Sequence, residues 1–207
     1  MSDKIIHKLF ATPVFQFKIK DYEKINPDLS KYIYNLYEND KKGIQRSNVN
    51  GWHSNNFKIE KDGVPYNFIK SIHGYVKEVI VEGFGWKYNA EKVGITEIWA
   101  IINKKNTFNQ IHNHPNTYLS AAYYVKAPKN CGDIQFHEPN EVKKFRHPVI
   151  EKQNELNSSG FSLKAEEGSL IIFPAYLYHS VGKNLSSEDR IVISFNVDII
   201  TYKDAKY

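Results

Sequence analysis

Apolar positions recur at two different periods along this chain, and the change of period divides it. From Asn26 the run NPDLSKYIYNLYEND sets Leu29, Ile33 and Leu36 at helical spacing behind an asparagine suited to a cap and a proline suited to the first turn, which predicts an amphipathic helix. GVPYNFIKSIHGYVKEVIVEGFG, Gly63 to Gly85, repeats Phe68, Ile69, Ile72, Val76, Val79 and Ile80 with the same period and closes on glycines, a second helix. Ahead of both, LFATPVFQFKI (Leu9 to Ile19) alternates after Pro13 and predicts a strand. After Gly94 the period shortens to two. The runs ITEIWAIIN, TYLSAAYYVKAP, GDIQFHEP, GSLIIFP and RIVISFNVDI are separated by Gly, Pro and Asn, with a long polar link through ELNSSG. Many short strands without interleaved helices predict a sandwich or small barrel. The expected fold class is mainly β with flanking helices (α+β), one domain over 1–207, with 1–93 a helix-rich support and 94–207 the β core.

Alternation also sorts side chains by face. In RIVISFNVDI, Ile191, Ile193, Phe195 and Val197 form one apolar face, while Arg190, Val192, Ser194 and Asn196 form the other. A guanidinium inside a sheet is costly unless an anion meets it. In TYLSAAYYV the same count groups Tyr118, Ser120, Ala122 and Tyr124. Just before lies FNQIHNHP, where His112 and His114, two apart on an extended chain, offer two imidazoles to one point; His179 supplies a third from a distant strand. Imidazole nitrogen suits iron, zinc, copper and nickel, and three protein ligands leave positions open for substrate or oxygen. In a chain with eight histidines the H-x-H pair is a weak signal by itself.

Composition narrows the field. At 207 residues, 41% hydrophobic and 25% charged, the chain can bury one substantial core. The single Cys131 excludes an intrachain disulfide framework and a cysteine zinc cluster, and it sits in the turn-like KNCGD with no base beside it. Neither a signal peptide nor an apolar run long enough to span a membrane is visible, so the cytoplasm is the expected location. The net charge of +5 is spread out; Lys104-Lys105 and Lys143-Lys144 read as solvated loop lysines, and charge does not call for a nucleic-acid partner. A homodimer is left open. NVNGWHSNNF (Asn48 to Phe57) is either a connection or a loop covering a pocket with Trp52, His53 or Asn55. His73, His137 and His147 read as ordinary boundary or connecting residues, and no phosphate-binding glycine loop or nucleophile elbow occurs.

The order H-x-H, SAAYYV, GDIQF, GSLIIFPxxxxH and RIVIS, with LFATPV at the start, resembles the double-stranded β-helix dioxygenases that use iron(II) and 2-oxoglutarate. Within them the chain is similar to the 2-oxoglutarate/iron(II) oxygenases of bacteria and phages. The resemblance implies a jelly-roll, cupin-like core with the N-terminal helices packed outside. It also implies an oxygenase, in all expectation a hydroxylase, whose cosubstrates are 2-oxoglutarate and oxygen. By position it makes His112 and His179 ligands of iron, puts His114 where most of the superfamily has Asp or Glu, and makes Arg190 the partner of the distal carboxylate of 2-oxoglutarate, helped by the hydroxyls of Tyr124 and Ser194. His114 is the expected third ligand; Asp133 and Glu138 are the carboxylate alternatives. Two other readings stay open: a cupin-like three-histidine dioxygenase that needs no 2-oxoglutarate, and a non-catalytic binding module. The primary substrate is not legible.

Overall fold

A computed structural model describes residues 5–90, 93–144 and 148–199. Its strands are β1 (Phe15–Lys18), β2 (Asn48–Val49), β3 (Trp52–His53), β4 (Val93–Asn103), β5 (Phe108–His112), β6 (Leu119–Lys126), β7 (Ile134–His137), β8 (Gly160–Leu163), β9 (Ser169–Pro174), β10 (His179–Val181) and β11 (Arg190–Ile199). Two helices, α1 (Tyr22–Asn39) and α2 (Val64–Glu78), precede β4. Pairing is antiparallel within two sheets, ordered β1-β9-β6-β11-β4-β3 and β2-β5-β10-β7-β8. Two antiparallel sheets form the sandwich that the strand runs predict and the jelly-roll that the resemblance implies. The first 93 residues supply more than support, because β1 and β3 extend one sheet and β2 the other.

Three layers result. One apolar cluster joins Leu29 and Ile33 of α1 and Phe68, Ile72 and Val76 of α2 to Ile191, Ile193, Phe195 and Val197 of β11, so the helices cover the outer face of the six-stranded sheet. A second cluster, with Tyr124, Val192 and Phe173 from that sheet against Ile134 and Phe136 of β7, fills the space between the sheets. Seven of the eight residues of β6 are buried, which is why LSAAYYVK reads as a continuous run and not as a clean alternation. No described helix is long and apolar enough to cross a membrane.

The first helix starts earlier than its sequence suggests. It begins at Tyr22, after Asp21 in a left-handed conformation, and carries Pro27 inside it. Asn26 is therefore no cap. It is buried, its amide donates to the Val125 carbonyl at 2.9 Å, and its side-chain oxygen accepts from the Tyr123 hydroxyl at 2.6 Å. That tertiary tie to β6 overrides the local signal of an Asn-Pro pair. Asn26→Ala should leave a hydroxyl and a carbonyl unpaired and lower unfolding free energy by about 1–3 kcal/mol, readable by urea denaturation. The second helix matches its expected start, with Pro65 in its first turn, and runs on through a π-helical turn over Val79–Gly83 that keeps Val79 and Ile80 buried. The polar link through ELNSSG gives way to β8, whose first three residues are exposed and which packs only Leu163 against the core; so short a strand has little pattern to announce it.

Candidate metal centre

The five-stranded sheet pairs β10 with β5 so that His179 stands directly opposite His112. Side chains opposite one another on adjacent strands project to the same face, and the two rings lie 4.2 Å apart. His114 lies beyond the end of β5, where Pro115 and Asn116 turn the chain. Its backbone N–H donates to the Ala175 carbonyl at 2.9 Å, which ties it to the turn after β9. Its ring stacks on His179 at 5.3 Å and on Trp99 at 5.7 Å. One ring nitrogen from each of the three histidines lies within 4.8 Å of the other two, and among the described residues this is the one such cluster of metal-ligating groups.

The surroundings prepare these rings as neutral donors. Burial, reinforced by the neighbouring histidines, lowers His114 to about 4 and His179 to about 3, and burial lowers His112 as well. The Nδ1 of His112 lies 2.7 Å from the Gln110 carbonyl and that of His179 3.0 Å from the Leu177 carbonyl. A carbonyl only accepts, so both Nδ1 atoms carry the proton and both Nε2 atoms are left as acceptors, the arrangement in which an outer hydrogen bond sets the ligating tautomer; that of His112 lies 3.3 Å from the Ser47 hydroxyl. Phe173 packs edge-on against His179 at 4.7 Å and keeps that ring dry. Neither alternative carboxylate joins the cluster. Asp133 accepts from the Ala165 backbone at 3.1 Å, and Glu138 from that of Asn140 at 2.9 Å.

Beneath the histidines lies a cavity of about 680 Å³ whose floor is the inner face of the six-stranded sheet. Strand register arranges that floor in rows across β4, β11 and β6: Asn103 beside Arg190, Ile101 beside Val192 and Tyr124, Trp99 beside Ser194 and Ala122, and Glu97 beside Asn196 and Ser120. The face of β11 picked out by alternation is thus the cavity face. Tyr124 and Ser194 both line it. Tyr118 does not; it precedes β6, is partly exposed and meets Trp86 edge-on.

Arg190 has no exposed surface. Its Nη1 donates to the carbonyls of Cys131 at 2.5 Å, Gly132 at 2.9 Å and Gly182 at 3.1 Å. Its Nε and Nη2 are buried with no partner. Gly132 makes the clamp possible: at φ +88, a β-carbon there would lie 2.1 Å from the Gly182 carbonyl oxygen and 2.8 Å from Nη1. A guanidinium keeps its proton even where burial disfavours the charge, so the orphaned N–H groups of Nε and Nη2 belong to a buried cation that, among the described residues, makes no ion pair. Burial raises the Tyr124 phenol, against the pull of Arg190, so it remains an O–H donor. The Cys131 thiol is likewise raised by burial, which suits a structural role.

Some lining residues were not singled out from sequence. Glu97, Trp99, Ile101 and Asn103 line the cavity, and alternation along ITEIWAIIN would have found them had it been extended to that strand. His53 and Asn55 of the polar loop line it too, with His53 stacked on Trp99 at 5.6 Å. Trp52 instead packs in the helix-side core and donates to the Asp40 carbonyl at 2.7 Å. His73 faces the Tyr88 hydroxyl at 2.6 Å and His137 the Ser180 hydroxyl at 2.9 Å, neither in the cluster; His147 lies outside the described residues.

Residues 97–196 match a family model described as "Putative 2OG-Fe(II) oxygenase". No curated protein matches the chain in sequence. Among solved structures it is similar to a prolyl-4-hydroxylase of Pseudomonas putida, at 9% identity and TM-score 0.60 over 92% of this chain and 95% of that one. It is similar to HygX of Streptomyces hygroscopicus, crystallised with nickel, 2-oxoglutarate and hygromycin B, at 10% identity and TM-score 0.62 over 91% and 83%. A prolyl hydroxylase of Trichoplax adhaerens, in complex with a peptide fragment of the hypoxia inducible factor oxygen degradation domain, aligns at 8% identity and TM-score 0.64 over 93% and 87%. At such identities these likenesses establish the shared fold, the double-stranded β-helix.

Proposed function

We infer that the chain, whose residues 97–196 match the 2OG-Fe(II) oxygenase model, is an iron(II)- and 2-oxoglutarate-dependent oxygenase. In this reading His112, His114 and His179 hold the metal, Arg190 receives the distal carboxylate of 2-oxoglutarate, and Tyr124 and Ser194 add hydroxyl contacts beside it. The observation that carries the reading is the buried Arg190, with Nε and Nη2 unpartnered on the floor of the cavity that the three histidines cap. The donor set fits iron(II), since neutral imidazoles, each with a ring nitrogen within 4.8 Å of the other two, are suitable first-row metal ligands. When bound, iron(II) supplies the activation of oxygen that couples oxidative decarboxylation of 2-oxoglutarate to oxidation of a C–H bond in the primary substrate.

The chain's own residues supply position and dryness. The carbonyl clamp on Nη1 fixes the Arg190 guanidinium before any ligand arrives, so little reorganisation accompanies binding of the diacid. Phe173 and Val192 exclude water around the reacting space. Three neutral imidazoles leave the full charge of iron(II) facing the cavity, which favours a dianionic cosubstrate over a neutral one.

The three-histidine set also suits a dioxygenase that uses no cosubstrate, and oxygen consumption separates the two. After anaerobic reconstitution with Fe(II), oxygen uptake should require 2-oxoglutarate and yield succinate. Uptake at the same rate without 2-oxoglutarate would establish the alternative.

A further inference from the structure

The last row of the cavity floor, opposite the Arg190 end, is a hydrogen-bonded chain of side chains. The Asn196 amide donates to Glu97 Oε2 at 2.7 Å, and its oxygen accepts from the Ser120 hydroxyl at 2.9 Å. Asn196 and Ser120 are buried, with 4% and 1% of their surface exposed, whereas Glu97 reaches the solvent-facing mouth of the cavity. A solvated surface glutamate needs no buried tether, and ordering a long side chain costs conformational entropy. Here two buried polar groups from β11 and β6 hold one carboxylate of β4 in place, and among the described residues that carboxylate has no cationic partner.

We propose that Glu97, positioned by Asn196 and Ser120, is the recognition site for a positively charged group, an amine or guanidine, on the primary substrate. The proposal rests on the oxygenase reading of the cavity and names the class of molecule it oxidises. Its geometry follows from register. Arg190 and Asn196 are six residues apart on one strand, so the two charged ends of the floor are separated by about 20 Å along β11. His114 stacks on Trp99, which shares its row with Ser194, and the Glu97 row lies one strand repeat, about 7 Å, further toward the mouth. A substrate held by its cation at Glu97 therefore extends its uncharged part toward the histidines. The opposite charges at the two ends also prevent exchange of ligands, since an anion placed at Glu97 or a cation at Arg190 would meet like charge. Arg46 stands at the same mouth, but its guanidinium is exposed and, among the described residues, lacks any comparable tether.

Calorimetric titration of the full chain, with and without Mn(II) and 2-oxoglutarate, tests this with straight-chain amines and guanidines from propyl to hexyl. Each is compared with the alcohol and the carboxylate of equal length. Cationic members should bind more tightly than their neutral and anionic counterparts, and Glu97→Gln should weaken them about threefold to thirtyfold while leaving the alcohols unchanged. Asn196→Ala, which keeps the charge and removes its tether, should give a smaller loss in the same direction. No preference for cations in the wild type, or a preference that survives Glu97→Gln, overturns the proposal. Affinity for 2-oxoglutarate, measured on the same samples, should be untouched by Glu97→Gln. Failure of the wild type to bind 2-oxoglutarate would instead count against the oxygenase reading, whatever the amines do.

Discussion

Arg190→Met is expected to weaken 2-oxoglutarate binding about tenfold to hundredfold, the equivalent of roughly 1.5–3 kcal/mol for a charge-assisted hydrogen bond. Methionine occupies similar volume but offers no N–H to a carboxylate. The substitution also has a structural cost, because the carbonyls of Cys131, Gly132 and Gly182 converge on Nη1 and would lose their donor. Arg190→Lys separates the two effects: it restores a cation while lacking the planar fork that can serve the carbonyl clamp and a carboxylate together. Both variants should melt at lower temperature than the wild type, and Lys should recover part of the 2-oxoglutarate affinity that Met loses. Calorimetric titration with 2-oxoglutarate on Mn(II)-loaded, folded protein reads the effect directly. Wild-type affinity in folded Arg190→Met would remove this residue from the cosubstrate site.

That Arg190 could be singled out before any coordinates follows from the rigidity of strand alternation. Four bulky apolar residues at period two, Ile191 to Val197, fix which face of β11 is core, and the guanidinium must then lie on the other. The same rule placed Tyr124 and Ser194 on the cavity floor. It could not show that Nη1 would be spent on three carbonyls, because Gly132 and Gly182 reach Arg190 only through the close approach of two loops. Local rules failed where tertiary contacts prevail. The Asn-Pro pair of α1 suggests a helix start, yet Asn26 is recruited by Tyr123 and Val125 from the adjoining sheet and the helix begins upstream. Strands β2, β3 and β10, only two or three residues long, cannot display a period at all. The convergence of His114 with its neighbours, expected from the H-x-H spacing, has another cause than the one that spacing suggests: His114 lies past the end of β5, where alternation no longer applies, and the Ala175 carbonyl sets its place.

Loss of His179 should have the largest effect of any single substitution. Groups that merely orient a metal ligand typically contribute tenfold to a hundredfold in affinity, so removal of a buried ligand with its lone pair already turned inward should exceed about a hundredfold. His179→Ala is therefore expected to abolish stoichiometric Fe(II) after anaerobic reconstitution, as read by metal analysis of the desalted protein, without unfolding the jelly-roll. His114→Ala is the more discriminating variant. Its ring converges with those of His112 and His179, and a comparable loss of metal makes the set three imidazoles; retention of one equivalent with unchanged affinity removes His114 from the coordination sphere. His114→Asp should restore metal binding with one unit less positive charge at the centre. If the full charge of iron(II) helps to hold dianionic 2-oxoglutarate, this variant should keep its metal yet bind 2-oxoglutarate less tightly than the wild type. Equal 2-oxoglutarate affinity in the aspartate variant would mean that Arg190, and not the net charge of the centre, accounts for recognition of the diacid.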